Sequence, residues 1–151
     1  MVQDEATLTP RLVGALYTEA MVLADEARAY FDRFARDERD GLDPVTRVGF
    51  SCESLKVTTR LMHIIAWLLT QRAVEAGELS VAQARRPSRR LGEEPESEAA
   101  VLAKLPPTAR ALVASSRDLF ARCRRLDDAG PELEAHPSPA RGLLSRLERS
   151  L

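Results

Sequence analysis

The sequence predicts an all-α protein: a three-helix antiparallel bundle with long helices, a mobile loop between helices 2 and 3, and a loose C-terminal tail. Three observations carry that expectation. Apolar residues recur at spacings of three and four over long stretches. Two helix-start signals of one form, Thr9-Pro10 and Asp43-Pro44, punctuate the first half of the chain. No segment alternates with period two for long enough to make a strand. A chain of 151 residues is expected to be one domain, 1–151, with its core at about 9–128, because two domains would each have too little interior.

Helix 1 is expected at about 10–40. Thr9 is its N-cap and Pro10 its first residue. Leu12/Val13, Leu16, Ala20, Leu23/Ala24, Ala27, Tyr30/Phe31 and Phe34 form its apolar stripe, and Gly41 stops it. Helix 2, about 44–76, starts at Asp43-Pro44 and ends on Gly77 as a C-cap. Each is roughly 30 residues, or about 45 Å long. So short a link leaves them only an antiparallel hairpin. Helix 3, about 107–128, follows Pro106-Pro107-Thr108 and stops before Gly130-Pro131. Its stripe of Leu112, Ser116, Leu119, Cys123 and Leu126 has heptad spacing.

The connection between helices 2 and 3 differs in composition. Ser80 can cap a short turn over Val81–Ala84. Four arginines within Arg85–Arg90 are followed by Glu93, Glu94, Glu96 and Glu98. Seven of the nine prolines lie after residue 86, so a solvated, mobile connection is expected, with a short helical piece at Ala99–Lys104. Residues 129–151 read as a flexible tail, with Ser138-Pro139 capping a short amphipathic helix that carries Leu143, Leu144, Leu147 and Leu151.

Composition excludes several function classes. Charged residues are 30% of the chain yet sum to −1, without the surplus cation that nucleic-acid binding needs. The Arg85–Arg90 cluster has glutamates beside it and no aromatic for stacking, and the helices are too long for a helix-turn-helix. Nucleic acid is therefore not an expected partner. Aromatics are only 5%, so Ala, Leu, Val and Ile must build the core. Cys52 and Cys123 make no disulfide framework, the acidic N-terminus is unlike a signal peptide, and the apolar run Leu61–Leu69 is too short to cross a bilayer. A soluble, cytoplasmic protein with no membrane contact is the expectation. His63 and His136 lack a carboxylate three residues before them, and no phosphate loop or nucleophile motif occurs. No metal, no cofactor and no catalytic set are expected.

Helix 2 is the most informative element. One face carries Val48, Cys52, Leu55, Met62, Ala66, Leu69 and Ala73; a second apolar face carries Phe50, Val57, Leu61, Ile64, Ile65 and Leu68. Two such faces imply a second packing partner, either the loop segment or another copy of the chain. Leu61, Ile64, Ile65 and Leu68 are thus the candidate dimer or packing face. Between the two runs a mixed stripe with Arg60, His63, Trp67 and Gln71, in a composition favoured at interaction hot spots and with Arg60 expected at the surface. The competing reading packs Trp67 beneath the loop, with His63 hydrogen-bonding nearby. The tail leucines Leu143, Leu144 and Leu147 are the second candidate binding surface.

The stretch Glu53–Leu79, with Thr58-Thr59-Arg60-Leu61-Met62, Trp67-Leu68-Leu69, Gln71-Arg72-Ala73-Val74 and Gly77-Glu78 in order, resembles the RcdA family, the regulators of CtrA degradation. The resemblance covers roughly residues 10–128, including the Tyr-Phe pair late in helix 1 and a loop before the third helix. It implies a dimeric three-helix bundle acting as a non-catalytic bacterial adaptor, one that brings cell-cycle regulatory proteins to the ClpXP protease together with a CpdR-like response regulator. The alternative is a cytoplasmic regulator that binds a partner protein with no proteolytic role.

Overall fold

A computed structural model describes residues 8–135 and 146–150, and the side chains of 8–130 and 146–150. Every regular element among the described residues is helical. In order they are α1 (Pro10–Ala29), a π-helical turn (Tyr30–Phe34), α2 (Ala35–Asp40), α3 (Pro44–Glu75), α4 (Val81–Ala84), a 3₁₀ turn (Pro87–Arg89), α5 (Ala99–Leu102) and α6 (Pro107–Ala135). Residues 146–150 are also helical. The start signals act as read: Thr9 accepts from the Leu12 N–H at 3.1 Å and Asp43 from the Thr46 N–H at 3.2 Å, each followed by a proline. Gly77 ends α3 at φ 76°, which lets the Glu78 N–H reach the Ala73 carbonyl at 2.9 Å and the Gly77 N–H reach that of Val74 at 3.1 Å. Ser80 and Gln83 form a reciprocal capping box on α4.

α3 packs along both α1 and α6. Val13, Leu16, Ala20, Leu23 and Ala27 of α1 meet Phe50, Val57, Leu61, Ile64 and Leu68 of α3 and Ala109, Leu112, Val113, Leu119, Phe120 and Cys123 of α6 in one cluster. Each fully buried Leu, Ile or Phe side chain there contributes about 1.5–3 kcal/mol. Phe34, expected in the α1 stripe, is instead 70% exposed and Ala35 is buried. The π turn is the reason: its extra residue per turn moves the inward position on by one, after Tyr30. Tyr30, Phe31 and Phe50 pack there in edge-to-face and tilted pairs, with ring centroids 5.0 to 6.4 Å apart. The Tyr30 hydroxyl donates to the Glu38 carboxylate, and burial together with that neighbour pushes the phenol above its ordinary value.

Gly130-Pro131 does not end the third helix, which continues to Ala135. Pro131 has no N–H for the Asp127 carbonyl four residues back, and that carbonyl accepts from Arg85 Nη1 at 2.6 Å and Arg90 Nη2 at 3.4 Å instead. Gly130 makes room: a Cβ there would lie 2.8 Å from Arg85 Nη1. A pair that reads as a stop is a notch for a loop arginine.

The thiols divide cleanly. Cys123 is fully buried, and burial pushes its pKa up to about 12, whereas Cys52 is exposed. A thiol reagent should label Cys52 quickly wherever the outer face of α3 is uncovered, and Cys123 only at the rate of unfolding. Rapid labelling of two thiols would contradict this packing.

Candidate functional site

The buried stripe of α3 is not wholly apolar. Thr46, Phe50, Glu53, Val57, Arg60, Ile64 and Trp67 are all buried and follow heptad spacing, so Glu53, Arg60 and Trp67 recur every seventh residue inside the molecule. Arg60 is 0% exposed and spends its guanidinium on four groups. Nε donates to Glu94 at 3.2 Å, Nη1 to Ser116 Oγ at 3.4 Å, and Nη2 to the Pro95 carbonyl at 2.9 Å and to Ser97 Oγ at 2.7 Å. Ser97 in turn donates to Glu53 at 2.6 Å, and Lys56 donates to the same carboxylate at 3.0 Å. Burial lowers the Arg60 pKa, against the pull of Glu94 and Glu53; an arginine nonetheless stays charged at neutral pH.

A second polar node lies along α6. Asp127, almost fully buried, accepts from the Trp67 indole N–H at 3.0 Å, from Arg90 Nε at 3.0 Å, from Arg85 at 3.3 Å and from the Leu91 N–H at 3.4 Å. Arg124 holds the Leu91 carbonyl at 3.1 Å, and His63 Nδ1 meets the Glu93 carbonyl at 3.0 Å. A carbonyl only accepts, so the His63 tautomer carries its proton on Nδ1. The connection from Arg85 to Glu98 is therefore tied down at both nodes, where a mobile loop was expected. Arg85, Arg90 and Glu94 satisfy buried partners, whereas Arg86, Arg89, Glu93, Glu96 and Glu98 are exposed, as a solvated charge run would be.

These contacts redistribute the sequence candidates. Arg60 and Trp67 lie inside the protein, so the reading that packs Trp67 beneath the loop holds and the Arg60–His63–Trp67–Gln71 stripe is not an open patch. His63 is half-buried against the loop, and Gln71 lines a cavity of about 170 Å³ with Leu8, Trp67, Val74 and Arg85. Leu61, Ile64 and Leu68 sit in the core cluster, which leaves them no surface for a second copy, while Ile65 is half-buried. Leu147 is 59% exposed; Leu143 and Leu144 lie outside the described residues, as does His136.

The open surface is the other face of α3. Val48, Leu55 and Met62 are each about two-thirds exposed, Leu69 about half, and Cys52 and Ala66 are exposed with them. With Thr59 and Ala73, these positions run four, three, four, three along the helix, a heptad seam that no other described residue covers. A groove of about 430 Å³ between α1 and α3 borders it, lined by Ala24, Phe31, Leu55, Met62 and Ile65. Among the described residues, no group of His, Cys, Asp and Glu side chains could hold a metal ion, and no helix is long and apolar enough to cross a membrane.

Two signals for the hidden network stand in the sequence. Ser116 interrupts the α6 apolar seam at a core position, and Glu53, Arg60 and Trp67 are in phase with Phe50, Val57 and Ile64. Asp127, Arg85, Arg90 and Ser97 carry no comparable signal, because loop contacts have no period.

The family model described as "Protein of unknown function (DUF1465)" matches residues 4–151. Among solved structures, the chain is similar to the crystal structure of RcdA from Caulobacter crescentus CB15, at 33% sequence identity and a TM-score of 0.63, over 83% of this chain and 93% of that one. No curated protein matches the chain by sequence.

Proposed function

The chain belongs to the RcdA family, and from that premise we propose that it is a non-catalytic adaptor, a dimeric three-helix antiparallel bundle that tethers cell-cycle regulatory proteins to the ClpXP protease in the cytoplasm. A CpdR-like response regulator and protein cargo are its partners in this reading. The observation that carries it is the open heptad seam on α3. The fold buries its core without using those residues, and an apolar stripe left over on a long helix serves association with another protein. The occupant we assign is the same seam of a second copy, since heptad spacing is self-complementary about a two-fold axis. Leu143, Leu144 and Leu147 of the tail are the proposed contact to the protease side, where a tether raises effective concentration.

Two measurements test this. Replacing Leu55 or Met62 with Asp should convert dimer to monomer in sedimentation without lowering the melting temperature, because both side chains are exposed in the folded chain. Wild-type protein that sediments as a monomer would remove the dimer. Purified ClpXP, a CpdR-like regulator and candidate cargo should then show several-fold faster cargo loss when the chain is added. Cargo loss unchanged, with no protease component bound, would leave the regulator that binds a partner without a proteolytic role.

A further inference from the structure

Residues 91–98 adopt neither helix nor strand, yet side chains of α3 and α6 hold them along their length. Four backbone carbonyls are held this way: Leu91 by Arg124 at 3.1 Å, Gly92 by Arg124 at 2.5 Å, Glu93 by His63 at 3.0 Å and Pro95 by Arg60 at 2.9 Å. The Leu91 N–H is taken by Asp127. A connecting loop ordinarily satisfies its carbonyls with turns or water. Side-chain donors aimed at successive carbonyls are how a groove holds an extended peptide, because every residue offers the same acceptor. We propose that the α3–α6 groove is a peptide-binding groove occupied in cis by residues 91–97, and that its partner in trans is an extended segment of another protein with a leucine, then a glycine, then a carboxylate two residues after the glycine.

The strap itself supplies that specificity. Leu91 is the anchor, its side chain 5% exposed and packed in the core cluster. Gly92 is demanded by His63, since a Cβ there would lie 2.6 Å from Nδ1. Glu94 pairs with Arg60 at 3.2 Å and approaches Arg117 at 4.0 Å, and Ser97 bridges Arg60 and Glu53. The tether gives the strap a high effective concentration, so a free segment competes only when it is abundant or when the strap is loosened. This inference deepens the partner-binding reading by stating what one partner must look like. Its test uses no protease and no dimer seam, so either reading can fail alone.

The test is a fluorescence-anisotropy titration of a labelled peptide with the sequence of residues 90–98. Three full-length proteins are compared: wild type, Leu91→Ser and Gly92→Ala. Each variant loosens the strap at a different point, and Gly92→Ala removes no core group. The loosened chains should bind the peptide roughly tenfold or more tightly than wild type, because the strap has lost its buried anchor in Leu91→Ser and is pushed off His63 in Gly92→Ala. A peptide with serine in place of its leucine should bind none of them. Folded variants that bind no better than wild type, or that bind the altered peptide equally, would overturn the proposal. Loss of fold in both variants would also overturn it, because a strap that the fold requires cannot be exchanged.

Discussion

Replacing Arg60 with alanine should cost about 3–5 kcal/mol of stability, the usual consequence of removing one member of a buried charged network. The loss comes from what remains. The Glu53 carboxylate, 1% exposed, would keep Ser97 and Lys56 but lose the second of its two neighbouring cations, and the Pro95 carbonyl and Ser116 would lose a donor. For a chain of this size the melting temperature should fall by roughly 10 °C. Arg60→Lys should recover only part, since an ammonium cannot reach four groups arranged around a planar fork. Removing both charges, as in Arg60→Met with Glu53→Leu, should restore much of the loss, because well-packed apolar groups are often neutral replacements for a buried pair. Thermal melts and urea titrations decide this, and an Arg60→Ala protein melting within 2 °C or so of wild type would refute the network's role.

Asp127→Ala should be the second most costly single change, at about 2–4 kcal/mol. One carboxylate there serves the Trp67 indole, Arg85, Arg90 and the Leu91 N–H. The arginines are a quarter to a third exposed and can regain water, which keeps the loss below that for Arg60. The Trp67 N–H cannot, being 2% exposed. Asp127→Asn should fall between the two, because its amide oxygen still accepts one donor. Trp67 is the only tryptophan, so its emission reports the site without labelling. A red shift before global unfolding is expected in Asp127→Ala, as the strap lifts from the indole. Unchanged emission and unchanged stability would show that the arginines hold the strap by other means.

Helix ends were the most legible part of this chain, because capping is local. Thr9-Pro10, Asp43-Pro44, Ser80 and Gly77 each act within four residues, and each appears in the structure where the sequence placed it. The exceptions have local readings and tertiary causes. Gly130-Pro131 looks like a terminator by itself, and becomes a notch only when Arg85 arrives from the loop to take the carbonyl that proline leaves free. Phe34 belongs to the stripe at a regular spacing and leaves it because the π turn shifts the register after Tyr30.

What the sequence determined by itself was the set of helices, their long hairpin and the presence of two apolar faces on α3, since propensity, caps and periodicity are properties of neighbouring residues. Which face turns inward was a tertiary decision. Periodicity gives a face its angle on the wheel but no sign, and both faces of α3 carry enough apolar area to be core. The partners broke the tie. Ser116 on α6 and Ser97 on the strap offer polar groups only to the side bearing Glu53 and Arg60, so that side is buried with its charges satisfied. Burial of the opposite face would have left Arg60 and Glu53 in water and the strap without its donors. The charge-rich loop was decided the same way: Arg85, Arg90 and Glu94 read as solvated like their exposed neighbours because nothing in the linear order says that Asp127 and Arg60 wait beneath them.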